Sequence, residues 1–313
     1  KRSESDRCLS WRITVVNSKK HETTLSNKKK RNKKVSGYGV GTVEVVMSVD
    51  QVAKEAASIS KNAPNLTTLE SLADNESFLS IKTLNAGYGK MEILHNFNLR
   101  VKKGQSLCLI GPNGAGKSTI LHSIFGFTNI FSGSIEIAGK DITKLSPSQK
   151  LSEAGIAYIL QDKSVFPQMT VEENLLMGGF LKNKPSEAKK AAEYVFEKYD
   201  RLAQRRNKPA GVLSGGERRL LEISRALVMQ PDVLLVDEPS IGLEPRFIDM
   251  VFGILEDLQK KDGKTIIMVE QNAKKGLAFA DLGYVLVSGQ TAIADKGNKL
   301  LENPDVGRLF LGG

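Results

Sequence analysis

Phe78-Leu79-Ser80-Ile81-Lys82-Thr83-Leu84 alternates apolar and polar positions, the period of two expected of a strand with one buried face. Phe97-Asn98-Leu99-Arg100-Val101 repeats the pattern, and Lys102-Lys103-Gly104-Gln105 reads as a turn. The short apolar run Ser106–Ile110 predicts a strand buried on both faces. A glycine-rich loop and a helix over Ser118–Phe125 follow. Ser134–Ile137 reads as a hairpin-type strand, with Ala138-Gly139-Lys140-Asp141 after it. Ser186–Tyr199 has helical composition, and Ser214–Met229 is a helix with Leu220, Leu221, Ile223, Ala226 and Leu227 on its apolar face. Then come a strand (Val233–Val236), a helix (Arg246–Lys260), a strand (Thr265–Val269), a helix (Ala273–Ala280) and a strand (Gly283–Val287). Strands alternating with helices predict an α/β fold with a parallel sheet.

Residues 1–76 break this pattern. They are rich in Ser, Asn, Ala, Gly and Lys and carry no sustained periodicity beyond Val43–Val49, so they are expected to be disordered or loosely structured. Met47 is the first methionine, and residues 1–46 are expected to lie outside the working protein. The net charge of +10 belongs mainly to this segment: residues 1–34 hold twelve Lys/Arg against three Asp/Glu. What remains is nearly neutral, so the charge is read as a solvated tail and no nucleic-acid partner is expected. The cysteines, Cys8 and Cys108, are too few for a disulfide framework or a zinc site, and Cys108 inside an apolar strand is expected to be a packed thiol. No run of about 18 apolar residues is present, nor the apolar stretch of a signal peptide. The chain is expected on the cytoplasmic side, held at any membrane by other proteins.

Three motifs carry chemistry. Gly111-Pro112-Asn113-Gly114-Ala115-Gly116-Lys117-Ser118 fits G-x-x-x-x-G-K-[ST] between a predicted strand and a predicted helix, the context of a phosphate-binding P-loop. Its glycines let successive N–H groups face phosphates, and the helix N-terminus adds favourable dipole charge. Lys117 is expected to reach the β- and γ-phosphates and Ser118 to ligate Mg²⁺, with Thr119 beside it. Val233-Leu234-Leu235-Val236-Asp237-Glu238 delivers two carboxylates to the end of a buried strand, Asp237 for the metal and Glu238 to polarise an attacking water. Leu213-Ser214-Gly215-Gly216-Glu217 opens a helix. Ser214 and Glu217 have capping-box spacing, and the glycines at a helix N-terminus suit a second anion site.

These motifs, in this order, resemble the ATP-binding subunit of an ABC transporter, over residues 77–313. The resemblance implies a P-loop NTPase core with a mainly parallel sheet, an N-terminal antiparallel β subdomain, and a helical signature subdomain at about residues 165–225. It implies ATP and Mg²⁺ as ligands. It makes Tyr88 the aromatic that stacks on adenine. Gln161 becomes the glutamine linking γ-phosphate and Mg²⁺ to a membrane subunit, and Ser240-Ile241-Gly242-Leu243-Glu244 the dimer-contacting loop, with Glu where the family usually has Asp. Ser214–Glu217 would serve an ATP held by a second ATPase subunit. Val165–Gly179 would lie near the membrane subunit, with Phe166, Met169 and Leu175 either contacting it or packing the helical subdomain. One position departs from the family. After Val269-Glu270 stands Gln271, where a histidine is expected to meet the γ-phosphate. Gln donates a hydrogen bond but cannot become a cation. His21, His95 and His122 lie elsewhere.

Val269-Glu270-Gln271-Asn272 and the ending Phe310-Leu311-Gly312-Gly313 resemble the F-type ATPase of branched-chain amino-acid importers, with urea/amide importers close by. The branch implies a heterodimer with a second ABC ATPase, permease subunits in the membrane, and a solute-binding protein reached through them. A soluble ABC-type assembly ATPase remains an alternative. About 95 residues separate P-loop and signature, without a cysteine pair, too few for the long coiled-coil or zinc insertion of a DNA-repair ATPase. A translation factor of this superfamily would need two cassettes, and the chain carries one.

Overall fold

Apolar runs build the central sheet. The computed structural model describes residues 63–161 and 164–311; the expectations for the basic segment, Cys8 and Met47 fall outside these residues. Strands β3 (Ser106–Ile110), β6 (Ile156–Ile159), β7 (Val233–Asp237), β8 (Thr265–Val269), β9 (Leu282–Val287) and β10 (Gln290–Lys296) form one sheet in the order β10-β9-β3-β8-β7-β6. It is parallel except for β10, which returns antiparallel beside β9. Side chains alternate across a strand, so each run feeds two cores. Leu107, Leu109, Val233, Leu235, Ile267 and Val269 enter one apolar cluster. Cys108, Ile110, Leu234, Val236, Ile266 and Met268 enter the other. That is why these strands read as unbroken hydrophobic stretches.

The first cluster is covered by α2 (Lys117–Phe125), through Ile120, Leu121 and Ile124, and by a second, antiparallel sheet. This sheet runs β2-β1-β4-β5, from β1 (Ser77–Tyr88), β2 (Met91–Lys102), β4 (Asn129–Ile137) and β5 (Lys140–Asp141). Its long β1–β2 hairpin is bulged, with positive φ at Thr83 and Asn96. The side-chain Oδ1 of Asn98 accepts from Thr83 N–H at 2.9 Å and the side-chain Oδ1 of Asn85 from Asn96 N–H at 2.8 Å, so the bulges leave neither donor unpaired. The second cluster is covered by α8 (Pro245–Lys260), α9 (Ala273–Phe279), α10 (Gly297–Glu302) and α11 (Pro304–Phe310).

A short helix, α3 (Pro147–Ser152), precedes β6, and between β6 and β7 the chain is helical, with α4 (Val171–Gly178), α5 (Pro185–Lys198), α6 (Asp200–Ala203) and α7 (Gly215–Leu227). Val171, Leu175, Val195, Phe196, Leu202, Leu220 and Leu221 form a cluster of their own. Leu175 is fully buried there, which corrects its assignment as a contact for a membrane subunit; Phe166 is 45% exposed. The helix α4 has a three-to-four-residue apolar repeat, and Leu175 falls on its inward face.

Regular structure is already present before Ser77. A helix, α1 (Leu66–Leu72), is capped by Asn65 and buries Leu69 in the first cluster. The expectation of loose structure therefore fails for residues 66–72. Cys108 is fully buried, and burial pushes its thiol pKa well up, as expected of a packed thiol. Among the described residues no helix is long and apolar enough to cross a membrane.

Candidate active site

Four adjacent parallel strands, β3-β8-β7-β6, deliver the candidate residues to one edge. The P-loop follows β3, Gln271 follows β8, Asp237 ends β7 with Glu238 next, and Gln161 lies two residues beyond β6. In an open α/β sheet the carboxyl ends of the strands form the ligand crevice.

The P-loop winds tightly. Gly111 has φ 147°, and a Cβ there would fall 2.3 Å from the Leu286 carbonyl oxygen, so only glycine fits between β3 and β9. Lys117 starts α2 and its Nζ donates to the carbonyls of Gly111 (2.8 Å) and Pro112 (3.0 Å), bridging the loop. Burial lowers the Lys117 pKa, while the carboxylates of Glu238 and Asp237 pull it back up. Pro112, Asn113, Gly114 and Ala115 complete the turn, with Ala115 N–H donating to Pro112 O at 3.2 Å.

Ser118 Oγ donates to Asp237 Oδ1 at 3.3 Å, and Tyr158 OH donates to Asp237 Oδ2 at 2.8 Å. Gln161 Nε2 donates to Glu238 Oε2 at 2.6 Å. Burial pushes the Glu238 carboxyl up and the adjacent Asp237 carboxylate adds to this; Lys117 and the Gln161 hydrogen bond act the other way. Glu238 has φ 43° and its N–H is tied to Val269 O at 2.8 Å. The structure thus brings Lys117, Ser118, Gln161, Asp237 and Glu238 together. Gln271 is exposed at the end of β8, beside Glu270, which is 2% exposed. Glu270 Oε1 accepts from Ser240 Oγ (2.7 Å) and Asn272 N–H (2.8 Å), joining the loop after β8 to the loop after β7. Ile241 and Glu244 of that second loop are exposed.

Tyr88 ends β1, is 40% exposed, and its hydroxyl is in a short hydrogen bond with His122 Nδ1. Thr119 lies buried on α2. At the signature, Ser214 caps α7: its Oγ accepts from Glu217 N–H at 3.3 Å, and Glu217 Oε2 accepts from Ser214 N–H at 2.9 Å. Both capping-box bonds form, and the N–H groups of Gly215 and Gly216 are left as first-turn donors. Gly216 also lies under Phe247 of α8; a Cβ would come 2.3 Å from the ring.

Three residues at this edge escape the motifs. Tyr158 holds Asp237 from β6. His122 meets Tyr88 from the last turn of α2. Arg219, 4% exposed on α7, pairs with Glu222 at 2.8 Å and donates to Leu160 O at 2.7 Å. The only signal for His122 was its place on the P-loop helix. Nothing in sequence order points to the others.

The oxygen set suits a small hard cation. Ser118 and Asp237 offer a hydroxyl and one carboxylate close together, and among the described residues no group of three His, Cys, Asp or Glu could cage an ion unaided. Mg²⁺ bound with a nucleotide takes one or two carboxylates and the substrate's phosphates, so the residues fit it.

This edge defines a P-loop nucleotide-binding ATPase. The chain belongs to the ABC transporter family, and it is an ATP-hydrolysing transporter subunit. The family described as "ABC transporter" matches residues 94–241. The chain is 43% identical over 235 residues to the high-affinity branched-chain amino acid transport ATP-binding protein BraG of Pseudomonas aeruginosa, covering 75% of this chain and 100% of the relative. It is 38% identical to the probable branched-chain amino acid transport ATP-binding protein LivF of Archaeoglobus fulgidus, covering 73% of this chain and 96% of that one. A nucleotide-free ATP-binding cassette from an ABC transporter superimposes with a TM-score of 0.66 at 29% identity, covering 76% of this chain and 100% of that chain.

Proposed function

We propose that this chain is one of two unlike ATPase subunits of a branched-chain amino-acid importer, seated peripherally on permease subunits at the cytoplasmic face. The convergence of Lys117, Ser118, Gln161, Asp237 and Glu238 at one sheet edge carries the reading of the site. The likeness to BraG and LivF supports the solute class.

ATP lies with its base on Tyr88 and its phosphates on the P-loop backbone from Gly111 to Thr119. Lys117 leaves the Gly111 and Pro112 carbonyls for the β- and γ-phosphates. Ser118 and Asp237, with Gln161, would hold Mg²⁺, which when bound would neutralise charge on the transferred phosphoryl group. Glu238 accepts the proton of the attacking water as the water oxygen bonds to the γ-phosphorus and the bond to the β-bridging oxygen breaks. Ser214, Gly215, Gly216 and Glu217 serve the ATP of the partner subunit. Closure of the two subunits on ATP drives the permease, and hydrolysis resets it.

Gln271 makes this site unlike that of a partner with histidine. It can donate to the γ-phosphate but cannot supply a positive charge. The site formed by this chain's P-loop is therefore the slower of the two. The reconstituted transporter with both ATPases is the test, read as ATP-driven uptake of leucine into vesicles. Glu238→Gln here is expected to cost less ATPase activity than the matching change in the partner, and Gln271→His to raise turnover. Equal losses from the two Glu→Gln changes would overturn the asymmetry. Absence of leucine uptake alongside intact ATPase would overturn the solute class.

A further inference from the structure

Tyr88 stands at a strand end between Gly87 and Gly89, 40% exposed, with Thr119 of α2 within hydrogen-bond reach of its hydroxyl. The Tyr88 hydroxyl is tied to His122 Nδ1. A neutral imidazole with its proton on Nε2 accepts a hydrogen bond from the Tyr88 hydroxyl at Nδ1. Burial lowers the His122 pKa and keeps the ring neutral, with the Asp237 carboxylate acting in the opposite sense.

The imidazole is itself held. Its edge meets Phe127 (centroids 5.8 Å apart, planes at 75°) and Tyr158 (5.7 Å, 70°), and Phe125 stacks on Tyr158 at 5.6 Å. Tyr158 is pinned in turn by its hydrogen bond to Asp237. His122 is thus held by α2 and by an aromatic wall, and the Tyr88 ring is tied to it through its hydroxyl.

We propose that His122 is a positioning residue for the nucleotide base: by holding the Tyr88 hydroxyl it presets the ring on which a planar purine stacks. A ring fixed before binding loses less freedom on binding, so the gain is in affinity. Phosphates bind elsewhere, on the P-loop, and do not sense it. The inference rests on the reading of Tyr88 as the base platform.

The test compares binding of ATP with binding of inorganic tripolyphosphate, which has phosphates and no base, to the full chain. A net hydrogen bond of ordinary strength corresponds to about a fivefold change in affinity. His122→Phe is expected to raise the ATP Kd about fivefold, leave the tripolyphosphate Kd unchanged, and raise the KM for ATP with kcat kept. His122→Gln, which retains an acceptor, should hold most of the affinity. In a Tyr88→Phe background His122→Phe should add nothing. An equal loss in that background, or an equal loss for tripolyphosphate, would make His122 a packing residue and overturn the proposal. Tyr88→Ala distinguishes the two levels. If it leaves ATP affinity intact, the base-platform reading falls and takes the proposal with it. If it weakens ATP while His122→Phe does not, only the proposal falls.

Discussion

Glu238 holds a left-handed backbone conformation that a non-glycine residue adopts at a cost of about 1–3 kcal/mol. The Val269 carbonyl holds it there through the Glu238 N–H, and the side chain is aimed at Gln161. Burial and Asp237 raise its pKa, so its base form is lost at a higher pH than that of a free glutamate. In the proposed role of general base Glu238 acts only when ionised, so hydrolysis is expected to fall as pH drops through this raised value. The Gln161 amide favours the ionised form by donating to it. Gln161→Ala is therefore expected to move the acid limb of the kcat/KM profile to higher pH, besides any fall in the plateau. An acid limb that stays in place would show that the amide does not tune Glu238. Lys117, Ser118, Asp237 and Glu238 were legible in the sequence because strand, loop and carboxylates are contiguous there. Tyr158 was not, because it reaches Asp237 across 79 positions. The role of His122 is hidden in the same way, since it sits on α2 while its partner Tyr88 ends β1 of the antiparallel sheet, 34 positions away.

Elements buried on both faces were read almost to the residue. The expected strand Thr265–Val269 is β8, and Ser106–Ile110 is β3. The reason is physical: a parallel strand between two cores has no polar face to blur its ends. The misses lie where burial is partial or short. At four residues β6 is too short to show a period, and it occupies the sheet edge. In α1 the single buried residue, Leu69, leaves no repeat to find. Conversely, β1 and β2 run well past their expected ends, because the bulges at Thr83 and Asn96 break the alternation without ending the strands. The start of α7 was legible as a capping box, but its glycine has a second cause invisible in sequence: Gly216 admits the Phe247 ring of α8. Helix propensity alone favours Gly216→Ala by up to about 1 kcal/mol. Overpacking against the ring costs about 1–3 kcal/mol, so the expected net effect is a lower Tm. Adding Phe247→Leu should recover most of that loss. A Tm raised by Gly216→Ala alone would mean the ring moves aside freely.

At the scale of the molecule, the signature helix α7 spans two cores: Leu220 and Leu221 enter the helical cluster, and Ile223 enters the second cluster of the central sheet. The helical segment has its own apolar cluster, while Asp237 and the P-loop rest on the central sheet. Arg219 joins them. From α7 it donates to Leu160 O at the end of β6 and, more weakly, to Asp237 O at 3.4 Å, and it pairs with Glu222. Both charges are buried. Removing one strands the other, a loss of about 3–5 kcal/mol, whereas replacing both by apolar groups of similar size is often neutral or stabilising. Arg219→Met is therefore expected to lower the unfolding free energy sharply, and Arg219→Met with Glu222→Leu to restore it. Stability and communication then separate. The double variant keeps its fold and its nucleotide affinity but lacks the hydrogen bonds that make α7 move with Leu160 and Asp237. In the importer proposed above, its ATPase rate is expected to respond less to solute-loaded binding protein than that of the unaltered chain. If the restored fold responds fully, Arg219 serves stability alone, and the two cores are coupled through packing of α7 on α8 instead.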